Sequence, residues 1–482
     1  MSSPGQPHVV VVGGGIAGLA AAFFLRGASC RVTVLEGSPR LGGKLGASEV
    51  AGVQVDEGAE ALFARRPEGT ALAAAAGFAD QLVAPGTTAA RIWSRGRMCP
   101  LPRHQVLGVP ADLGELAGTG LVSSDGMARA RQDLRLPATG RDGDVPVAAF
   151  VAARFGQEVV DRLVDPLLAG VYAGRAEELS FEATLPALAA ESGRHASLAA
   201  AAAAVLPGPA ADDSPAPPGA WPRPGPPVFT TLADGLGTLP AAVAAASGAT
   251  VRTAAMVRGL ARAAAGWRLT VGSAHAEEHL AADAVILAVP ASPAARLLAG
   301  VPGASAAAAA LRDIRSASMA IVTLAYPAAA FPVPLEGSGY LVPAADGHPV
   351  KAVTFSTVKW PHLRDAAAGL VIVRCSLGRV GEEALLQSDD AELARVAAAD
   401  FATATGAHGA PVAVRVTRWG GGLPQYTVGH LDRVAQIRSA VAAQPGLAVC
   451  GAAYDGIGIP ACVATAQAAA AQIAAQLRDD PQ

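Results

Sequence analysis

Three glycines near the amino terminus have the spacing of a phosphate-binding turn. Gly13, Gly15 and Gly18 form the pattern G-x-G-x-x-G. Such a turn binds a dinucleotide when it follows a buried strand and opens a helix, because the pyrophosphate then lies on free amides at the helix N-terminus. Glu36 follows about 20 residues later, where an acidic side chain can accept hydrogen bonds from ribose hydroxyls. These four residues predict a dinucleotide-binding site.

The elements that must position this turn are also visible in the sequence. Residues 9–12 are four consecutive valines, which is typical of a buried parallel strand. Residues 17–26 predict a helix, and residues 31–35 predict a second strand that ends just before Glu36. A glycine-rich turn that binds nothing is the alternative, but a strand, a helix and an acid in this order favour a nucleotide site.

A second glycine pair and two basic residues follow this unit directly. Arg40, Gly42, Gly43 and Lys44 lie in the segment E-G-S-P-R-L-G-G-K. This pattern resembles the large FAD-binding family that includes the monoamine oxidases, the carotenoid desaturases and the porphyrinogen oxidases. The resemblance implies that both basic side chains lie near the phosphates and ribose of FAD. It also implies that residues 56–60 form the next turn beside the flavin.

Four further segments resemble the porphyrinogen oxidases in particular. The segment C-G-A-A-Y-D-G-I-G-I-P-A-C resembles their closing FAD motif, although two alanines, Ala452 and Ala453, stand where relatives often have a serine. The four segments lie at 165–174, 284–291, 423–430 and 450–462. Together these resemblances cover nearly the whole chain, which is identified as a member of the porphyrinogen oxidases of the bacterial, Gram-positive coproporphyrinogen type.

The resemblance implies a non-covalently bound FAD and a defined set of cofactor contacts. These contacts come from both glycine turns, from the acid after the second strand, from later strands and from the closing turn. They are Gly13, Gly15, Ile16, Ala17, Gly18, Glu36, Arg40, Gly42, Gly43, Lys44, Gly58, Ala59, Val257, Ala288, Trp419, Gly451, Ile457, Gly458 and Ile459.

The same resemblance implies the reaction and the substrate contacts. A porphyrinogen loses six electrons on conversion to the porphyrin, two at a time through the flavin, and molecular oxygen is reduced to hydrogen peroxide. Gly170 is expected to present its backbone carbonyl at the catalytic slot. Arg91 is expected to pair with a propionate, because a guanidinium binds a carboxylate bidentately. We expect coproporphyrinogen III as substrate, with Lys351 and Lys359 as candidate donors for its additional carboxylates.

Three alternatives stay open at this point. The preferred substrate could be protoporphyrinogen IX, which carries two propionates instead of four. An amine oxidase or a carotenoid desaturase on the same fold is the second alternative, although residues 461–466 offer no aromatic side chain for an amine cage. The third is a binding protein without catalysis, which the intact glycines and Glu36 disfavour.

Composition excludes several other classes of protein. The 482 residues include 37 Lys and Arg against 40 Asp and Glu, and a net charge of −3 argues against nucleic-acid binding. Five cysteines without a C-x-x-C pair predict neither a disulfide framework nor a thiolate metal site. His275 and His279 would have metal-ligand spacing on a helix, but they lie between two predicted strands. We therefore expect a polar hairpin tip there and no metal.

No segment of the sequence predicts a membrane span. The apolar run at 9–25 is interrupted by glycines, and residues 195–211 are mostly alanine followed by prolines, which are weak drivers of insertion. We expect a cytoplasmic protein without a transmembrane segment. A peripheral membrane contact and a transient contact with the next enzyme of heme biosynthesis are left open.

The order of predicted elements indicates an α/β fold. We expect a Rossmann-like FAD-binding domain, a second domain with a mixed sheet for the substrate, and a helical insertion. The FAD-binding domain is expected from residues 1–80, 228–290 and 416–482. The substrate side is expected from the helical residues 81–205 and the sheet residues 291–415, with a Pro-rich loop at 206–227. Residues 251–258 are expected to form one strand, and residues 291–310 one helix.

Overall fold

The structure is a computed structural model that describes residues 6–137, 143–206 and 227–479. The Pro-rich segment predicted at 206–227 lies outside the described residues except for its two ends. At the centre of the molecule is a sheet of five parallel strands, to which segments near both ends of the chain contribute. Their order is Thr250–Arg252, Arg31–Leu35, His8–Val12, Ala284–Leu287 and Leu447–Val449.

The central sheet is covered on both faces, which explains why its middle strand is a run of valines. Val9 and Val11 face a layer of helices, whereas Val10 and Val12 face the opposite layer. The first layer consists of the helices Ile16–Leu25, Leu239–Ser247 and Ile459–Asp479. The opposite layer combines the antiparallel strands Val257–Arg262, Trp267–Ser273 and Ala276–Ala282 with the helices Ala291–Leu298, Ser305–Arg312 and His430–Ala442. This arrangement confirms the predicted α/β class.

A second sheet has seven strands and mixed direction. Its order is Ala413–Pro424, Ser316–Pro327, Leu370–Leu377, Val350–Phe355, Gly339–Leu341, Ala90–Ser94 and Arg97–Pro100. All neighbours are antiparallel except Gly339–Leu341 and Ala90–Ser94, which run parallel. The helix Asp390–Thr405 packs on one face through Leu393, Ala397 and Phe401.

Eight further helices of the described residues form a lobe with its own apolar core beside the second sheet. They are Leu113–Thr119, Ser124–Ala130, Val147–Phe155, Gln157–Val159, Asp165–Tyr172, Phe181–Thr184, Pro186–Ser192 and Leu198–Val205. Short elements lie between the central sheet, the second sheet and the helical lobe. The short strands are Ala47–Val50, Val53–Asp56, Leu62–Phe63, Leu82–Val83, Gln105–Val106, Val109–Pro110 and Phe229–Leu232. The short helices are Pro67–Ala73, Ser356–Lys359 and Pro361–Ala366. Within the described ranges, no helix is long and apolar enough to cross a membrane.

Two expected elements are each divided in two, so these predictions were wrong. The strand expected at 251–258 leaves the parallel sheet after Arg252 and joins the antiparallel sheet at Val257. Between them Ala254 has a left-handed φ of 52°, and its amide donates to the carbonyl of Ser38. The helix expected at 291–310 is interrupted between Leu298 and Ser305. Pro302 and Gly303 (φ 83°) lie in this gap, and both residue types disfavour a continuous helix.

The two candidate metal-binding histidines lie on an antiparallel hairpin. His275 is in the turn, and His279 is in the strand Ala276–Ala282 opposite Thr270. Both side chains are exposed, and no group of three potential metal ligands occurs among the described residues.

The central strand provides a test of this architecture. Val11→Ala should lower the free energy of unfolding by about 2–3 kcal/mol, because two fully buried methyl groups are lost and a cavity is left. Thermal unfolding of the purified protein should show a lower Tm. Val412→Ala is the matched control, since Val412 is 59% exposed and should leave the Tm near that of the wild type. Equal shifts for both variants would contradict this arrangement.

Candidate cofactor and substrate site

The first glycine turn permits backbone contacts that no larger residue would allow. Gly13 has a φ of 111°, and a Cβ there would lie 2.6 Å from the carbonyl oxygen of Ala288. A Cβ at Gly18 would overlap the carbonyl oxygen of Gly13. The strand ends at Val12 and Leu287 therefore pack directly against the first turn of the helix Ile16–Leu25.

The second glycine turn lies against the first and forms a groove lined by backbone. The amide of Gly42 donates to the carbonyl of Gly14 at 2.8 Å, and Gly15 faces Gly43. The helix that starts here has no side-chain cap and no acidic residue in its first turn. The amides of Ala17 and Gly18 have no acceptor within the part of the chain that the structure describes. Free amides at a helix N-terminus are suited to a pyrophosphate.

Glu36 closes one end of this groove. Its Oε2 accepts from the amide of Gly14 at 2.7 Å, and its Oε1 accepts from the amide of Ser38 at 2.7 Å. Each carboxylate oxygen has capacity for a further hydrogen bond, which a ribose hydroxyl can supply. The amide of Ala255 donates to the carbonyl of Glu36, so the segment leading to the buried Val257 runs alongside. Val257 packs in the core of the layer behind the sheet, and its contact with the cofactor stays a prediction.

The two basic residues differ in their surroundings. Arg40 is exposed and donates to the carbonyl of Gly43 at 3.0 Å, with its guanidinium 5.8 Å from the ring centre of Trp419. Lys44 is half-buried, and its Nζ has no hydrogen-bond partner among the described residues. Burial lowers the pKa of Lys44, although the nearby Cys462 thiol acts in the opposite direction. A desolvated ammonium without an anionic neighbour fits an anionic ligand.

The turn at 57–60 is packed equally tightly against Lys44. A Cβ at Gly58 would overlap the carbonyl oxygen of Lys44, and the amide of Ala59 donates to that oxygen at 3.4 Å. The indole of Trp419 lies against Gly58, and its Nε1 donates to the carbonyl of Glu57 at 3.1 Å. The edge strand of the second sheet therefore supports this turn.

The closing turn brings a second helix N-terminus to the same groove. Gly451 (φ 120°) lies beside Ala17, and its amide donates to Oγ1 of Thr465 at 3.0 Å. The helix Ile459–Asp479 begins after Gly458, which is exposed. The amides of Gly458 and Ile459 have no acceptor within the described ranges. The helix start can therefore donate to carbonyl oxygens of a ligand.

Gly170 lies at the exposed C-terminal end of the helix Asp165–Tyr172. Its carbonyl accepts no hydrogen bond from the described residues, as is common in the last turn of a helix. The side chain of Leu341 lies 3.1 Å from the position a Cβ at Gly170 would occupy. Ile457 of the closing turn packs on the core of the same helical lobe. The closing turn and the helix that carries Gly170 thus pack on the same core.

The structure does not bring Arg91 and Gly170 together. Arg91 is paired in register with Tyr340, and its Nη2 lies 3.0 Å from Oε2 of Glu336. Leu341, the next residue along, contacts Gly170, and successive residues of a strand point to opposite faces. Arg91 is therefore on the other face of the sheet, and its propionate contact stays a prediction.

The two lysines considered as carboxylate donors already have protein partners. Lys351 is buried, and its Nζ donates to the carbonyl of Gly378 at 2.8 Å. Burial lowers the pKa of Lys351 to about 7. Lys359 forms an ion pair with Glu60, with Nζ 2.7 Å from Oε1. Neither ammonium group is available to a substrate in this arrangement.

Comparison with known proteins shows the family to which the chain belongs. A model of the family described as flavin containing amine oxidoreductase matches residues 16–474. The chain belongs to this family. It is 41% identical over 462 residues to the coproporphyrinogen III oxidase of Mycobacterium tuberculosis (strain ATCC 25618 / H37Rv), covering 95% of each chain. It is 31% identical over 475 residues to the coproporphyrinogen III oxidase of Bacillus subtilis (strain 168), covering 97% of this chain and 98% of the relative.

Solved structures agree with this placement. A protein from Exiguobacterium sp. 255-15, provisionally named a protoporphyrinogen oxidase, superposes with a TM-score of 0.83 at 29% identity, covering 98% of this chain and 100% of the other. Cyclohexylamine oxidase from Brevibacterium oxydans shares the fold, with a TM-score of 0.67 at 16% identity, covering 98% and 100% of the two chains.

The cofactor of the present chain, as a flavin containing amine oxidoreductase, is FAD. The free helix amides, the unpaired Lys44 ammonium and the Glu36 carboxylate fit its pyrophosphate and ribose.

Sequence analysis overlooked two residues that support the site of this flavoprotein. The hydroxyl of Tyr426 donates to the carbonyl of Ala452 at 2.7 Å and accepts from the amide of Gly456 at 2.8 Å. Nε2 of Gln425 donates to the carbonyl of Tyr172 at 2.7 Å. Together they connect the closing turn to the end of the helix that carries Gly170. Both residues lie in the segment 423–430, whose resemblance to the porphyrinogen oxidases indicates no contact for either side chain.

Tyr426→Phe tests this support of the closing turn. Loss of the hydroxyl removes two hydrogen bonds, each worth about 0.5–1.5 kcal/mol, while the ring stays in place. We expect FAD to dissociate more readily, with its Kd raised roughly five- to 150-fold if the full effect falls on the bound state. Titration of the apoprotein with FAD measures this.

Tyr326→Phe is the matched control. Tyr326 is buried in the core of the second sheet, and its hydroxyl has no hydrogen-bond partner among the described residues. Its loss should leave the Kd of FAD unchanged. A wild-type Kd for Tyr426→Phe would show that the hydroxyl does not support the cofactor turn.

Proposed function

We propose that this protein is a coproporphyrinogen III oxidase. It catalyses the FAD-dependent, six-electron oxidation of coproporphyrinogen III to coproporphyrin III in heme biosynthesis, with molecular oxygen reduced to hydrogen peroxide. The observation that carries the proposal is that Ile457 of the closing turn packs on the core of the helical lobe in which Gly170 is exposed at a helix end. Relatives named coproporphyrinogen III oxidase, at 31–41% identity over at least 95% of this chain, support it.

The cofactor contacts assigned to this chain come from several separate segments. The amides of residues 15–18 hold the pyrophosphate, and Glu36 with the segment at Val257 holds the ribose and the adenine end. The residues 42–44, 58–59 and 457–459 line the flavin end. In domain terms, we assign residues 1–80, 228–290 and 416–482 to the FAD-binding part and residues 81–205 and 291–415 to the substrate side. Two segments depart from these bounds: the helices Ala291–Leu298 and Ser305–Arg312 cover the central sheet, and the strand Ala413–Pro424 belongs to the second sheet.

Binding and orientation are the work that the protein performs in this reaction. When bound, FAD accepts two electrons at a time from the substrate and passes them to oxygen, so three rounds complete the oxidation. The free carbonyl of Gly170 accepts a hydrogen bond from a pyrrole N–H and so orients the tetrapyrrole. Leu341 beside Gly170 and the apolar core of the helical lobe provide an apolar wall for the slot.

Protoporphyrinogen IX is the second candidate substrate. The protoporphyrinogen oxidase of Bos taurus is 30% identical over 496 residues, covering 96% of this chain and 98% of the relative. The higher identity to the mycobacterial relative favours the coproporphyrinogen. Pro460 supports the same choice, because relatives that act on protoporphyrinogen more often have Asn in place of this proline at the end of the closing turn.

The cellular setting belongs to the same proposal. We place the enzyme in the cytoplasm, where its substrate is a porphyrinogen and its electron acceptor is oxygen. A peripheral membrane contact and a transient contact with the next enzyme of heme biosynthesis are compatible with this setting. Nucleic acid and metal ions have no role in the proposed reaction.

Parallel fluorescence assays under air test the substrate. The holoenzyme should oxidise coproporphyrinogen III with a kcat/KM at least about tenfold above that for protoporphyrinogen IX, because burying a carboxylate unpaired costs several kcal/mol and a site built for four propionates must supply partners for all of them. A higher kcat/KM for protoporphyrinogen IX would overturn the substrate assignment. Catalase-sensitive formation of peroxide with either substrate would still identify an FAD oxidase.

The proposed propionate contact of Arg91 has a separate test. Arg91 must exchange Glu336 for the substrate, and an exposed ion pair of this kind is worth only about 1 kcal/mol or less. Arg91→Ala should raise KM for coproporphyrinogen III more than it lowers kcat, since a contact remote from the reacting carbon is similar in ground and transition states. Glu336→Gln is the control: it removes the competing carboxylate, so it should leave KM at or slightly below the wild-type value. An unchanged KM in Arg91→Ala would assign Arg91 to the surface ion pair alone.

A further inference from the structure

A buried cluster of charges lies directly behind the turn at 57–60. The carboxylate of Glu60 accepts from Nζ of Lys359 at 2.7 Å, from Nε1 of Trp360 at 3.3 Å and from Nη1 of Arg374. Burial by itself raises the pKa of Glu60, but the two cations outweigh burial and lower it to about 2. Glu60 is therefore ionised throughout the physiological pH range.

Arg374 does more than neutralise this carboxylate. Its Nη2 donates to the carbonyl of Gly58, so one planar guanidinium holds both the backbone and the side chain of the same turn. Arg374 belongs to Leu370–Leu377, an inner strand of the second sheet, and its side chain is only 7% exposed. The second sheet thus holds the turn from behind, while Trp419 of the edge strand lies against Gly58.

The cluster is not arranged for greatest stability. Nε of Arg374 is buried and has no hydrogen-bond partner in the described structure, and a buried unsatisfied donor costs free energy. Replacement of a buried ion pair by apolar residues is often neutral or stabilising. The fork geometry of an arginine at this position therefore indicates a role in placing the turn.

We propose that Arg374 is a positioning residue for the flavin. By binding Glu60 and the carbonyl of Gly58 at once, it fixes the turn that carries Gly58 and Ala59 and ties the cofactor site to the substrate-side sheet. This inference rests on the proposed function, in which that turn contacts the flavin.

The decisive variant is Arg374→Lys, studied as the purified holoenzyme. A lysine retains the positive charge beside Glu60, but its single ammonium cannot reproduce the two-sided fork, so the hydrogen bond to Gly58 is lost. We expect a folded protein with an altered visible spectrum of bound flavin and an FAD Kd raised about tenfold or more, as for the loss of a charge-assisted hydrogen bond. We also expect kcat for the porphyrinogen to fall more than KM changes. Arg374→Gln, which also removes the charge, should show larger effects of the same kind.

Arg415 provides a matched control on the same turn. Its Nη2 lies 2.8 Å from Oε1 of Glu57, and it has no hydrogen bond to the carbonyl of Gly58. Arg415→Lys should keep the wild-type flavin spectrum, FAD Kd and kcat. The proposal is overturned if Arg374→Lys keeps the wild-type spectrum and FAD Kd, or if Arg415→Lys changes them to the same extent.

The two proposals fail in different ways. If Arg374→Gln does not fold, Arg374→Lys decides by its spectrum and FAD Kd. A wild-type protein that binds FAD but oxidises neither porphyrinogen would overturn the proposed function, whereas the comparison of FAD Kd values would still decide the role of Arg374.

Discussion

The contact between the two glycine turns is the constraint on which the rest of the cofactor site depends. The amide of Gly42 donates to the carbonyl of Gly14, and a Cβ at Gly43 would lie only 3.3 Å from the Cα of Gly15, so the two backbones approach each other closely. It leaves the amides at the start of the helix Ile16–Leu25 free for a pyrophosphate. It also directs the chain through Lys44 to the turn at 57–60. The location of the groove, its polar backbone lining and its accessibility to a ligand thus follow from one contact between two backbone segments.

Local patterns allowed much of this site to be predicted from the sequence. The glycines, Glu36 and the strands beside them lie within one βαβ unit, so their spacing along the chain determines their spacing in the structure. The class of fold was predictable for the same reason, since buried parallel strands are apolar throughout and their connecting helices are amphipathic or apolar. Gly170 could be assigned only through resemblance, because a free carbonyl at a helix end has no signature in composition.

The errors and omissions arise where distant residues meet. The break in the strand expected at 251–258 depends on hydrogen bonds to Glu36 and Ser38, more than 200 positions earlier in the chain. The contact between Glu60 and Arg374 spans 314 positions. The face on which Arg91 lies depends on its parallel pairing with Tyr340, and a shift of one residue in that register would reverse it. None of these pairings has a local pattern that could reveal it.

Residues of the second sheet and of the segment that follows it hold the turns that surround the cofactor. Arg374 and Trp419 hold the turn at 57–60, and Tyr426, two residues beyond the edge strand, holds the closing turn. Binding of FAD and packing of the two sheets must therefore stabilise each other, because a ligand favours the state in which its site is assembled. The strand His8–Val12 is packed on both faces by protein and does not depend on the ligand in this way. The closing turn also packs through Ile457 on the core of the helical lobe that carries Gly170, so a ligand held by this turn is coupled to that lobe as well.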